Sequence, residues 1–472
     1  MSSTSIKKSS TIDMTKGSIV INLLRFAIPL ILTSLLQLAF NAADIIVVGQ
    51  FTDPSISNNA VASIGASNPL LFLLVNLFLG LSTGATVIVS KYYGAKKDKD
   101  LTDAVHTSIT LSLICGVILS VIGILLAEQI LIWMKTPDTV LVFATKYLRI
   151  YFAGNVVTML YNFGSAILRA VGDTKRPLIF LAISGVANVG FNLFFVLVLK
   201  MDVEGVAIGT LISQAISAVL ILICLTKEKG AIQLSFKKLG IKSNKLKEII
   251  RIGLPAGVQS SLFSVANIFI QSSINGFGDI AMAGNSAAGN IEGFVYVFMN
   301  AFHYASISCT GQNLGAGDAN RIKKTAIISP ILAGLFGIIV ATVVLLFGKQ
   351  FLSLYLTDEL AIQEGLVRMK AVLPYYFICG IMDAFSGVIR GAGFSIFPTV
   401  ANLLGVCGLR ILWVFTIFQI PKFHTISVLF ISWPLSWFVV FISLAIFYFV
   451  YGRKEILRLC EPNEEVLLDK AV

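Results

Sequence analysis

The sequence predicts an all-α integral membrane protein, with twelve transmembrane helices in two pseudo-symmetric six-helix lobes. Three observations carry that prediction. The 472 residues are 56% hydrophobic and only 13% charged, with a mean hydropathy of +0.86, whereas soluble domains are about 25% charged. The apolar residues gather into runs long enough to cross a bilayer, which takes about 20 residues as a helix. The second half of the chain also repeats the Gly, Pro and Arg punctuation of the first.

Twelve runs are expected, near 19–50, 60–89, 104–126, 140–168, 178–199, 205–225, 250–278, 282–310, 325–347, 366–389, 398–418 and 426–451. Several are longer than the hydrocarbon needs, which implies tilt or projection into the headgroups. Met1–Lys16 is polar and rich in Ser and Thr, without the apolar core and small-residue cleavage site of a signal peptide. The first run can itself direct insertion. It carries one carboxylate, Asp44, fifteen residues after Pro29. A carboxylate inside a membrane helix costs roughly 2.5–3.5 kcal/mol, so it seldom persists without a task. Pro29 removes a backbone hydrogen bond and lets the helix bend. Asp44 could instead solvate a helix end, but the apolar stretch IIVVG that follows puts it inside the run.

The repeat sets the domain organisation. LLRFAIP at Leu23–Pro29 matches IIRIGLP at Ile249–Pro255. Gly94-Ala95 matches Gly315-Ala316, and ILRAVGDTKRP at Ile167–Pro177 matches VIRGAGFSIFP at Val388–Pro398, both displaced by 221 positions. The longest segment between runs, Thr226–Lys247, holds seven Lys. The expected units are an N-terminal lobe (1–225), a cytoplasmic basic linker (226–248), a C-terminal lobe (249–451) and a cytoplasmic tail (452–472). Six is even, so both lobes insert in the same sense, related by a pseudo-two-fold axis along the membrane normal. With the N-terminus inside, 27 of the 36 Lys and Arg fall on the cytoplasmic side, eight fall outside, and Arg410 lies within a run. That asymmetry places both termini in the cytoplasm.

Several function classes are excluded. The net charge of +11 resides in short loops that set topology, so it does not point to nucleic acid. The six cysteines form no C-x-x-C pair and read as small packing residues. No Walker A pattern is present, so the chain should not hydrolyse ATP. No His cluster or spaced Ser/His pair points to an enzyme. Two lobes leave a cleft at mid-membrane depth, where transporters bind substrates and coupling ions.

In its motifs the chain resembles the multidrug and toxic compound extrusion (MATE) transporters. The carrying stretches are FNAADIIVVGQ around Asp44, SKYYGAKKDKD at Ser90–Asp100, ILRAVGDTKRP, SCTGQNLGAGD at Ser308–Asp318, IMDAFSGVIRGAG at Ile381–Gly393 and GLRILWVF at Gly408–Phe415. They stand in family order over essentially all twelve runs. The resemblance implies two lobes in a V and export of organic, often cationic compounds against Na⁺ or H⁺ influx. It also implies a bacterial cytoplasmic membrane, no cofactor beyond the coupling ion, small organic substrates and lipid as partners, no nucleic acid, and a monomer. The other reading is a flippase for lipid or lipid-linked oligosaccharide. Such proteins carry more basic residues inside their cavity, and Arg410 is the only Lys or Arg read here as well inside a run.

By the same resemblance Asp44 matches a first-helix acid used in ion coupling, with Asn188, Asn192 and Thr210 at its partner positions. Asn188 and Asn192 are four apart and share a helix face. Such a set is a hard-oxygen pocket suited to Na⁺, while H⁺ needs the acid alone. Burial favours a neutral acid, so a proton and a cation compete for it. Many relatives carry a second acid where Asn192 stands. Asparagines between membrane helices also serve as interhelical glue, at about 0.6 kcal/mol each. In the C-terminal lobe Asp383 matches a family acid, its repeat mate being Asn162, and Gln259 lies near the place of a second acid in some relatives. Glu292 and Arg410 complete this polar group, with Arg410 expected to pair with Asp383 or Glu292, because a buried Arg needs a counter-charge. Glu128 reads as interfacial, and His303 as hydrogen-bonded. Phe40, Phe72, Met282, Phe294, Phe298 and Met299 are the expected substrate surface, since flat rings and flexible thioethers tolerate many shapes and ring faces attract cations.

Overall fold

The structure is a computed structural model that describes residues 11–51, 57–134 and 136–461, without the side chains of 57–62, 64–74 and 265. Its helices are α1 Ile19–Phe51, α2 Ser57–Gly94, α3 Asp98–Trp133, α4 Asp138–Ala153, α5 Asn155–Ala170, α6 Lys175–Leu193 and α7 Val203–Lys227 in the first half. The second half holds α8 Ser243–Asn275, α9 Asp279–Gly315, α10 Ala319–Leu346, α11 Gly348–Ser353, α12 Glu359–Val372, α13 Tyr376–Gly391, α14 Ile396–Asn402, α15 Leu409–Phe415, α16 Ile426–Phe447 and α17 Arg453–Cys460. Among the described residues nine helical stretches are long and apolar enough to cross a membrane, and a tenth is α4 and α5 together, bent by 49°. The long helices α2 and α9, of 38 and 37 residues, complete the expected twelve.

The repeat is visible in the helix boundaries. Asp98 and Ala319 open α3 and α10, Asp138 and Glu359 open α4 and α12, and Lys175 and Ile396 open α6 and α14, each pair 221 positions apart. Turn conformations repeat too. Gly172 and its mate Gly393 have φ of +87° and +94°, which only glycine adopts without strain. Gly317 has φ +74°, but its mate is Lys96 at +54°.

Two large apolar cores match the halves. One joins α1–α7, takes in Ile232 and Leu234 of the linker, and reaches Ile249 and Ile252 of α8 and Ile307 of α9. The other joins α8–α17. The linker therefore packs along α3: Thr102 Oγ1 donates to the Ala231 carbonyl at 2.9 Å, the Ser235 amide donates to His106 Nε2 at 3.0 Å, and the Lys242 amide donates to Thr107 Oγ1 at 3.1 Å. The most exposed apolar side chains, such as Leu125, Val186 and Leu346, lie on outward helix faces where lipid replaces water.

A third core crosses between the halves. Leu23, Phe26, Ala27, Leu30 and Ile31 of α1 pack with Phe302 and Ala305 of α9, Ala333 of α10 and Ala384 of α13. Pro29 lies within that stretch, and Thr33 Oγ1 donates to its carbonyl at 2.7 Å. The closest approach is between α2 and α8, where glycines spaced by four face each other. A Cβ on Gly80 would run into the backbone of Gly257, and one on Gly253 would lie 2.6 Å from Leu81 Cα. Small residues at this spacing let membrane helices touch backbone to backbone. At the linker end the lobes also meet, with Gly94 against the Gln312 backbone and Gly315 against that of Lys91. Residues before α1 fill this junction. Met14 is fully buried; its amide donates to Gln312 Oε1 at 3.0 Å, and its carbonyl accepts from Asn313 Nδ2 at 3.1 Å and Arg321 Nη2 at 2.9 Å.

Candidate functional site

The second half of α1 leaves the inter-lobe core and enters the first lobe, with Val47 and Val48 buried against its apolar core. This carries Asp44 to the interior, where it is 9% exposed. Asn192 Nδ2 donates to Asp44 Oδ1 at 2.6 Å, and Thr210 Oγ1 donates to Oδ2 at 3.3 Å. Asn188 Nδ2 donates to Thr210 Oγ1 at 3.2 Å, and Asn192 Nδ2 approaches Asn188 Oδ1 at 3.4 Å. The structure thus brings together all four residues that the family resemblance places here. Gly209 permits this, since a Cβ there would meet Asn192 Oδ1. That amide oxygen is buried and has no hydrogen-bond partner. Two carboxylate oxygens, two amide oxygens and a hydroxyl in one pocket are hard donors of the kind that hold a small cation, and the same carboxylate can take a proton.

The second lobe is built differently from expectation. Glu292 pairs with Arg368 rather than Arg410: Nε and Nη2 of Arg368 donate to its two oxygens at 2.9 and 2.7 Å, and Nη1 also contacts Asn285 Oδ1. Asp383 accepts from the Tyr296 hydroxyl at 2.8 Å. Arg410 pairs with neither acid. Its Nε donates to Ser436 Oγ at 2.9 Å, and its guanidinium lies 4.9 Å from the Trp433 ring centroid. An indole face at this distance supplies only part of what a carboxylate would. Gln259 serves Arg390, whose Nη2 donates to its Oε1 at 2.6 Å, so it completes no cation site with Asp383. His303 is hydrogen-bonded, as read from the sequence, through Nδ1 to the Asp383 carbonyl at 2.7 Å. Glu128 is exposed and paired with Arg149 at 2.8 Å.

Sequence reasoning missed Arg368 and Arg390 as interior cations. A signal for one was present: Arg390 is the repeat mate of Arg169 in the matched motifs VIRGAG and ILRAVG. Arg368 ends up mostly buried, with its side chain 11% exposed, because α12 begins at Glu359, earlier than the expected run, so the residue lies a turn or more inside.

Two cavities open beside these groups. One of about 680 Å³ lies between the lobes, lined by Asn76, Gly80 and Thr83 of α2, Gln259 of α8, and Tyr296 and Asp383 across from them. The other, about 390 Å³, lies within the second lobe beside Glu292, Arg368 and Arg410. Their aromatic walls are Phe263, Tyr296, Tyr304, Tyr376, Trp433 and Trp437. The expected substrate residues whose side chains are described line neither cavity. The Phe40 ring packs on Gly185 of α6. Met299 is fully buried against Gly337 and Gly380, and Phe298 packs in the inter-lobe core. Met282 and Phe294 line neither cavity, and the Phe72 side chain lies outside the described residues. On a helix apolar all round, composition does not tell which face meets a cleft.

The MatE family model matches residues 29–194 and 255–416, one segment in each half. Among curated proteins, the probable multidrug resistance protein YoeA of Bacillus subtilis is 27% identical over 444 residues, covering 92% of this chain and 95% of that one. Among solved structures, a MOP superfamily transporter from Pyrococcus furiosus superposes with a TM-score of 0.86 at 21% identity, covering 95% of this chain and 98% of that one. An outward-facing multidrug resistance MATE family transporter of the same superfamily gives 0.83 at 21% identity, covering 94% and 98%.

Proposed function

Because the chain belongs to the MatE family, we propose that it is a secondary active exporter, moving small organic compounds out of the cell against influx of Na⁺ or H⁺. The observation that carries this reading is the course of α1. Its first half belongs to the core shared by both lobes, its second half delivers Asp44 to a polar pocket in the first lobe, and Pro29 weakens the helix on the way. Occupancy of Asp44 and the fit between the lobes are thus coupled through one bendable rod.

The chemistry follows from the pocket. With the acid ionised, Asn192 and Thr210 donate to it. A proton turns one carboxyl oxygen into a donor and displaces one of those contacts. A Na⁺ ion needs oxygens, and turning the Asn192 amide would offer its unpartnered Oδ1 in place of Nδ2. Either occupant changes the packing of α1 against α6 and α7, and the change passes Pro29 to the inter-lobe core. Alternating access is then a rocking of the lobes about the cavity between them. One charge moved through the membrane potential supplies about 2.3 kcal/mol per 100 mV, enough for roughly fortyfold concentration of substrate. The cytoplasmic end is the linker end, where Lys and Arg are concentrated, and both termini lie there. The protein works as a monomer, since each lobe pair encloses its own cavity.

The test is efflux of a cationic dye from vesicles with Na⁺ and pH gradients imposed separately. Wild type is expected to respond to at least one gradient, and Asp44→Asn to lose that response by tenfold or more. Equal pumping by the variant under both gradients would remove the coupling role from Asp44.

A further inference from the structure

The interior of the second lobe holds three guanidinium groups, Arg368, Arg390 and Arg410, and two carboxylates, Glu292 and Asp383. Arg368 grips Glu292 through two parallel bonds of 2.9 and 2.7 Å. Arg390 and Asp383 line the same inter-lobe cavity and act on each other electrostatically. Arg410 is left over. It is 5% exposed and lines the cavity of about 390 Å³. Ser436 occupies its Nε at 2.9 Å, and among the described residues its two Nη atoms have neither a hydrogen-bond acceptor nor a carboxylate at ion-pairing distance.

The fold does not require these charges. In the first half, the positions 221 residues before Glu292, Arg368 and Arg410 are Leu71, Tyr147 and Val189. The first lobe therefore tolerates uncharged side chains at the same places. A guanidinium retained in such a site, desolvated and aimed into a cavity, costs free energy until an anion meets it. Its planar fork matches a carboxylate or a phosphate oxygen pair. The surrounding walls suit a flat apolar body, with the Trp433 and Trp437 centroids 4.9 and 5.8 Å from the guanidinium. The volume lies within the range of small-molecule sites, about 300–1,000 Å³.

We infer that this cavity binds an organic anion, a small amphiphile whose carboxylate or phosphate pairs with Arg410 while its apolar part lies against Trp433, Trp437 and Tyr376. The exported compounds then include anions or zwitterions, beside whatever cations reach the cavity between the lobes. This deepens the export reading by naming a substrate class, but it concerns equilibrium binding and stands or falls without any transport measurement. The same headgroup chemistry could arrive on a soluble compound or on an anionic lipid, and the test separates the two.

The experiment uses the full chain in nanodiscs of phosphatidylcholine and three fluorescent probes of one shape: 1-naphthaleneacetate, its neutral amide, and 1-naphthylmethylamine. Binding is read by isothermal titration calorimetry. The acetate is expected to bind at least tenfold more tightly than the amide, and the amine more weakly than either. Arg410→Gln should abolish the preference for acetate over amide, with an unchanged thermal unfolding midpoint reporting that the variant is folded, and Arg410→Lys should keep part of the preference. Equal binding of acetate and amide to wild type, a comparison that needs no variant, would overturn the proposal, as would an undiminished preference in Arg410→Gln. Repeating the titration in phosphatidylglycerol nanodiscs assigns the source. Competition with the acetate identifies a lipid headgroup as an occupant, and an unchanged affinity identifies a soluble anion.

Discussion

At the residue scale, the paired and unpaired charges of the second lobe are tested most directly by removing one partner. Glu292 is 3% exposed and holds a guanidinium whose side chain is only 11% exposed. Glu292→Gln is expected to destabilise the protein by about 3–5 kcal/mol, because it leaves Arg368 buried without its counter-charge. The double change Glu292→Met with Arg368→Met should recover most of that loss, since the deficit is desolvation and not packing. Thermal unfolding in detergent checks both, and a single variant melting with wild type would show that the pair carries no stability. What was legible in the sequence at this scale depended on residue type and short spacing. Asp44 and the i, i+4 asparagines stood out because polar groups on apolar helices are few. Who pairs with Arg410 was not legible, because helix rotation and side-chain rotamers decide between acids on neighbouring helices. The indole faces that flank Arg410 gave no signal distinct from ordinary aromatic content.

At the element scale, the repeat explains why helix starts could be read with fair accuracy. The same Gly and Pro punctuation terminates equivalent helices in both halves, and the offset of 221 persists through α14. One turn departs from it. Lys96 adopts φ +54° where its mate Gly317 has +74°, and a side chain in that region costs about 1–2 kcal/mol. Lys96→Gly is therefore expected to leave stability unchanged or raise it by up to about 1 kcal/mol, the gain being reduced by the freer unfolded chain. Gly317→Ala should lower it by about 1 kcal/mol. Melting temperatures that move in the opposite directions would contradict this account. The bend of 49° between α4 and α5 was not legible as a break. The sequence there, FAGNVV, shows a single Gly, which many straight helices also contain.

At the scale of the whole molecule, the closest contact between the lobes rests on glycine. Gly80 and Gly84 on α2 face Gly253 and Gly257 on α8, and Gly94 faces Gln312 beyond them. Both pairs have the G-x-x-x-G spacing, a signal available in the sequence but masked by the 38 glycines of the chain. Gly253→Leu is expected to hold the lobes apart at the linker end. Spin labels at Lys97 and Lys324, in a background without native cysteines, should then report a longer distance population than in wild type. An unchanged distance distribution would show that this contact does not set the spacing of the lobes.

The burial of Met14 bears on the order in which the molecule can be made. Its hydrogen-bonding partners are Gln312, Asn313 and Arg321, some 300 positions downstream. A stretch made some 300 residues before its partners must wait, unseated, until α9 and α10 have been synthesised and inserted. Sealing of the linker end is thereby deferred until the nascent second half has arrived, and a chain truncated within the first half would have no means of shutting itself.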